Sequence, residues 1–273
     1  MRGILMWLAV AAVSLPLAGC GGSGGTSVPP ITNAGASVRV AGSDLQSGAT
    51  VTQLQGGDGP GTIYIEEGAL RFLGELTATS SATRQFRGRD GQSVALLTVP
   101  AGYSDIGLLR LDYQLGGTPF VSEGVFGRFT TAAQMPTAGT ATFVGENLDA
   151  TWIDGNGNSS NLIRGPGSVP IALVVVDFAN RDVDASLDFR PTASARFAPV
   201  DVIELTDMSI AGNRFSGGTL TSLKRGAVVP EFSTPTPTTS GIFAGPGAAE
   251  LGGVFYATMP GGQLLTGRYI ARQ

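Results

Sequence analysis

The residue with the most specific chemistry is Cys20, the only cysteine among 273 residues. It closes Leu17-Ala18-Gly19-Cys20, behind Arg2 and the apolar run from Ile4 to Leu17. A charged start followed by a short apolar core is the pattern of a secretory signal, too short to span a bilayer as a stable helix. Its ending matches a bacterial lipobox, where a diacylglycerol is attached to the cysteine sulfur before cleavage. Cys20 is therefore expected to be lipidated, with residues 1–19 removed and acyl chains holding the protein on a membrane. Gly21, rather than Asp, follows the cysteine, which favours the outer membrane.

Other groups invite chemistry less strongly. Glu66 and Glu67 could form an acid–base pair, but neighbours in a strand point to opposite faces, so a solvated turn is the expected setting. Asp154, Asn156 and Asn158 alternate as in a calcium loop. The sixth position, however, is Ser159 and the twelfth is Gly165, where such a loop needs Gly and a bidentate Glu; a plain hairpin loop is expected, with no metal. The chain contains no histidine, which excludes Ser-His-Asp and Cys-His catalysis and His-ligated zinc or haem. A haem would need a Tyr or Met as axial ligand, for example Tyr103, Tyr256 or Met208. Carboxylate-pair glycosidase chemistry is the one common enzymatic mechanism left, and the chain reads as non-enzymatic. The net charge of −4, with Lys224 as the single lysine, provides no electrostatic footprint for nucleic acid.

Charged residues are only 14% of the chain and glycines number 41, a strand- and turn-rich composition. Residues 20–37 have almost no large apolar side chains and read as a flexible Gly/Ser tether. From Val38 to Tyr113 short apolar runs (Thr62–Ile65, Ala69–Leu73, Ser93–Val99, Gly107–Tyr113) alternate with turn signals such as Gly56–Gly61 and Arg89-Asp90-Gly91, as in an antiparallel meander. Ile171–Phe178, the turn Ala179–Asp182 and Val183–Phe189 form the clearest hairpin. In its second strand Val183, Ala185, Leu187 and Phe189 alternate with Asp184, Ser186 and Asp188, so one face is buried and the two aspartates solubilise the other. A second hairpin runs from Val202 through Ala211-Gly212-Asn213 to Leu223. Near the end, Ser240–Tyr256 breaks at Gly245-Pro246-Gly247, where glycine permits a sharp turn. About eight strands follow Gly124, enough to close an antiparallel up-and-down barrel. The alternation alone would also suit a membrane-embedded barrel, which has no need of a lipid anchor.

Three segments resemble the β-barrel lobe of the transferrin-binding protein B-like surface lipoproteins of the Slam-dependent type: Met135–Gly145, Val176–Arg181 with its following strand, and Gly241–Phe255. The last matches the family's Gly-x-Phe-x-Gly-Pro-x-Ala-x-Glu-x-Gly-Gly-x-Phe pattern position by position. The likeness covers about Phe120 to the C-terminus. It implies an all-β chain with an eight-stranded barrel (118–273) after a smaller β-rich, handle-like region (38–117). It further implies an outer-membrane or cell-surface lipoprotein that recognises a protein or an iron- or haem-related ligand through loops such as Asp154–Gly165 and Pro230–Thr239. The alternatives are a structural envelope lipoprotein and a periplasmic small-ligand carrier. No cofactor is expected, and the sequence identifies no site residue beyond Cys20.

Overall fold

The computed structural model describes residues 30–41, 49–153, 159–162, 172–189, 200–230, 233–234, 237–259 and 262–273. Cys20 and its lipobox, Asp154, Asn156 and Asn158 lie outside the described residues. The described residues form nineteen strands: β1 (Asn33–Ala41), β2 (Ala49–Gly59), β3 (Thr62–Glu67), β4 (Leu70–Thr79), β5 (Thr83–Gly88), β6 (Val94–Thr98), β7 (Ile106–Leu115), β8 (Thr118–Arg128), β9 (Thr140–Ile153), β10 (Ser159–Leu162), β11 (Ala172–Asp177), β12 (Asp182–Asp188), β13 (Val202–Ala211), β14 (Arg214–Ser216), β15 (Thr219–Lys224), β16 (Ala227–Val228), β17 (Thr238–Ala244), β18 (Glu250–Met259) and β19 (Gln263–Arg272).

They close two antiparallel barrels. In the first, β1 to β8 follow one another in order, and β8 pairs back onto β1 from Asn33↔Arg128 to Ala41↔Phe120. In the second, the ring runs β9, β11, β12, β13, β14, β17, β18, β19 and returns to β9, with β10, β15 and β16 as side branches. Closure removes the exposed edges that an open sheet would offer to aggregation. Each interior is filled by side chains: Phe72, Phe86, Phe126 and aliphatic neighbours in the first, and in the second a knot around Phe243, whose ring centroid lies 5.4 Å from Phe215 and 5.7 Å from Phe178.

The eight-stranded up-and-down barrel expected after residue 118 is present in the second half. The smaller region before it proves to be a closed barrel as well. The expected division at 117/118 falls inside the β7–β8 hairpin, and the sheets part after Arg128. The Gly124–Phe129 run therefore belongs mainly to the first barrel rather than counting toward the second.

The tether is also shorter than its composition suggests, because Asn33 to Ser37 form half of β1 and are buried. Residues this small cannot order by burying their own apolar surface. Here they are ordered by backbone pairing to β2 on one side and β8 on the other, and the absence of bulk lets the second barrel press against them. The second sequence-expected hairpin divides at Gly217-Gly218: β14 joins β17 while β15 pairs with the other half of β13. The β12 alternation is as expected, with Val183, Ala185 and Leu187 buried and Asp184 exposed.

Candidate functional site

The two barrels meet along a dry seam built from strands that are apolar on both faces. On β8, β17 and β19 one residue packs inside its own barrel while its neighbour packs into the seam: Phe126 and Val125, Phe243 and Ile242, Tyr269 and Ile270. Ala34, Ile106, Val125, Ile242, Ala244 and Ile270 form one seam cluster, and Ala36, Val38 and Val254 extend it.

Polar groups lock this seam. The buried carboxylate of Glu250, at the start of β18, accepts the backbone N–H groups of Ser104 (2.8 Å), Asp105 (2.9 Å) and Ile106 (2.9 Å) at the start of β7, and the Ser104 hydroxyl (3.3 Å). Successive amides converging on one carboxylate make an anion nest. Asp105 in turn pairs with Arg128, whose Nε donates at 2.7 Å. Thr130 donates from its hydroxyl to the Gly245 carbonyl at 2.7 Å. That carbonyl belongs to the turn before β18, where Gly245 (φ 73°) takes a left-handed backbone that a side chain would strain.

Arginines of the second barrel cross to carbonyls of the first. Arg214 donates to Gly35 and Leu54, each at 2.8 Å, and burial holds its guanidinium below the usual arginine range. Arg268 donates to Leu109 at 2.7 Å, and Arg272 to Gly102 at 2.8 Å. A guanidinium suits this work because its fork reaches several acceptors and its charge is weakly hydrated. Sequence reasoning missed these residues. The available signals were the glutamate of the terminal motif and the placement of arginines in and beside the strands of a sparsely charged chain.

The sequence-identified candidates fall in separate places. Tyr103 sits at the seam, its hydroxyl donating to the Ile270 carbonyl at 3.2 Å, and burial pushes its phenol up to about 12. Met208 is buried within the second barrel, and Tyr256 packs beside Ala36, Val38 and Val254. The three belong to three different clusters, so the fold does not gather them around one cofactor.

Glu66 and Glu67 point to opposite faces, as strand geometry requires, but the solvated setting holds for neither in full. Glu66 accepts from Tyr64 and Gln55 and pairs with Arg71 Nε at 2.8 Å; these contacts, the Tyr64 hydroxyl foremost, hold it below the usual carboxylate range. Glu67 is 0% exposed inside the first barrel, where it accepts the hydroxyls of Ser37 (2.6 Å) and Ser122 (2.7 Å). The sequence reading expected a solvated turn, whereas Ser37 of β1, within the expected tether, covers this carboxylate. Lys224 pairs with Asp201 at 2.7 Å. Among the described residues there is no group of three or more carboxylates able to hold a metal.

Beside the seam a groove of about 450 Å³ opens between the β6–β7 loop and the strands β9 and β19. Arg272, Glu146, Asn147, Tyr103 and Val144 line it.

Solved structures with this architecture include transferrin-binding proteins B. The fold matches a variant of that protein from Haemophilus parasuis with a TM-score of 0.59 at 19% identity, covering 93% of this chain and 46% of that one. It matches intact Ap-TbpB, with N and C lobes, with a TM-score of 0.57 at 21% identity, covering 93% and 48%. It matches the isotype 1 protein from serogroup B Neisseria meningitidis with a TM-score of 0.52 at 15% identity, covering 87% and 43%. The chain thus spans less than half the length of each. No curated protein sequence matches it. The sequence profile described as the C-lobe and N-lobe beta barrels of Tf-binding protein B matches residues 135–273, the second barrel with the Glu250 latch, and on that match the chain belongs to this family of barrels.

Proposed function

We propose that the protein is a lipid-anchored, outer-membrane or cell-surface binding protein that holds a protein ligand by its loops and is not an enzyme. The observation that carries this reading is the locked seam between two filled barrels. Interiors packed with phenylalanine and aliphatic side chains leave ligand contact to the outer surface and the strand connections, and the Glu250 nest keeps the connections of both barrels in one frame. Preorganised loops lose less entropy on binding than loops on barrels that swing. Family membership supports a host protein as ligand, with transferrin the first to try, since the solved relatives carry it in their names. In this reading the first barrel takes the place of the handle, and acylated Cys20 with the residues up to β1 forms the tether.

Two measurements test the reading. Protease added to intact cells should degrade the wild-type protein, and the Cys20→Ala variant should lose its membrane attachment. Immobilised full-length protein should retain transferrin or another host serum protein. Protection of the wild type until the outer membrane is broken would refute surface display, and failure to retain any host protein would refute the ligand assignment.

A further inference from the structure

The groove beside the seam holds two opposite charges that do not meet. Arg272 is fixed in place: its Nη1 donates to the Gly102 carbonyl at 2.8 Å, and its guanidinium lies 5.7 Å above the Tyr103 ring. It forms no ion pair with a described residue, and it lines the groove. Glu146 lines the same groove and makes no hydrogen bond or ion pair to a described residue. Val144, the register partner of Arg272 on β9, is 39% exposed, and its own partner on β11, Leu173, is 43% exposed.

We propose that this groove binds a zwitterionic α-amino acid. The carboxylate seats on Arg272, whose planar fork matches it; the ammonium faces Glu146; an aliphatic side chain lies against Val144 and, beyond it, Leu173. A simple anion would meet the Glu146 charge and a simple cation the Arg272 charge, whereas a zwitterion satisfies both. The volume of about 450 Å³ lies within the usual range for small-molecule sites. Tyr103, tied by its hydroxyl to Ile270, stiffens the Arg272 wall, so the site exists before the ligand arrives. The inference is independent of any protein ligand held by the loops.

The test titrates full-length protein with L-leucine, N-acetyl-L-leucine and L-leucinamide while the methyl resonances of Val144 are followed. The two derivatives stand for the C-terminal and N-terminal ends of a peptide, so they separate a free amino acid from a chain end. L-leucine should shift the Val144 methyls saturably, with a midpoint at or below about 1 mM. Each derivative should bind about tenfold or more weakly. Glu146→Gln, which touches no seam contact, should weaken leucine binding several-fold and leave the melting temperature unchanged. Arg272→Met should weaken it about tenfold or more. No saturable shift up to about 10 mM leucine, equal binding of leucine and either derivative, or unchanged binding in Glu146→Gln would each overturn the proposal.

Discussion

Glu250 and Asp105 stand 145 residues apart in the chain and 2.9 Å apart in the fold, where the Asp105 amide donates to the Glu250 carboxylate. The same carboxylate oxygen takes the Ile106 amide, and the other takes Ser104. Removing it leaves three backbone donors without a partner at a dry contact between two barrels. Glu250→Ala should therefore cost about 3–5 kcal/mol, lowering the melting temperature on the order of 10 °C. Limited proteolysis between Phe129 and Thr140 should speed up as the barrels part. Wild-type melting and cleavage in that variant would show the nest to be dispensable.

Two glycines of the terminal motif are predicted to resist the smallest enlargement. A Cβ at Gly241 would lie 2.1 Å from the Phe215 ring, inside the second barrel, and one at Gly252 would lie 2.7 Å from Ile106 Cδ1, across the seam. Overpacking of this kind costs about 1–3 kcal/mol, and more where the neighbour cannot move. Gly241→Ala should be the more damaging of the pair, because Phe215 is held by the Phe243 ring. Denaturant midpoints for both variants give the comparison.

Alkaline pH should undo the protein through its tyrosines. Burial pushes Tyr103 up to about 12, and burial with the neighbouring Glu67 charge does the same for Tyr113, against an ordinary 10.0. An acid whose folded pKa is raised contributes stability that is complete below the unfolded value and is lost as pH rises through the folded one. The melting temperature should be flat below about pH 9 and fall steeply between about 10 and 12. Tyr103→Phe should make that fall shallower. Equal slopes in variant and wild type would remove Tyr103 from the explanation.

Glu67 anchors Ser37 and Ser122 inside the first barrel. Glu67→Ala leaves both hydroxyls unpaired and a void behind them, at an expected cost of about 2–5 kcal/mol. Glu67→Gln, which keeps a carbonyl oxygen for one serine, should cost less. Amide exchange across β1 should rise in the alanine variant, since Ser37 is one of its inner contacts.

Local pattern was enough to identify much of this protein. The alternation in Val183–Phe189, the turns at Arg89–Gly91 and Ala211–Asn213, and the Gly245-Pro246-Gly247 corner all depend on residues within a few positions of one another, and they place an all-β chain with an eight-stranded barrel. The terminal motif was legible for the same reason, because its glycines and its glutamate lie within one hairpin. The first barrel was not legible as a barrel. Its closing strand β1 begins Asn-Ala-Gly-Ala-Ser, and nothing local distinguishes that from tether. Its backbone partners are β2 on one side and, about ninety residues on, β8 on the other, and only the second barrel supplies the surface against which small residues are the right fit. Glu67 changed from a solvated carboxylate to a buried one for this same reason. The seam itself, with Glu250 on three distant amides and Arg272 and Glu146 lining one groove beside it, was decided by tertiary structure alone, because each of its contacts joins segments that no periodicity relates.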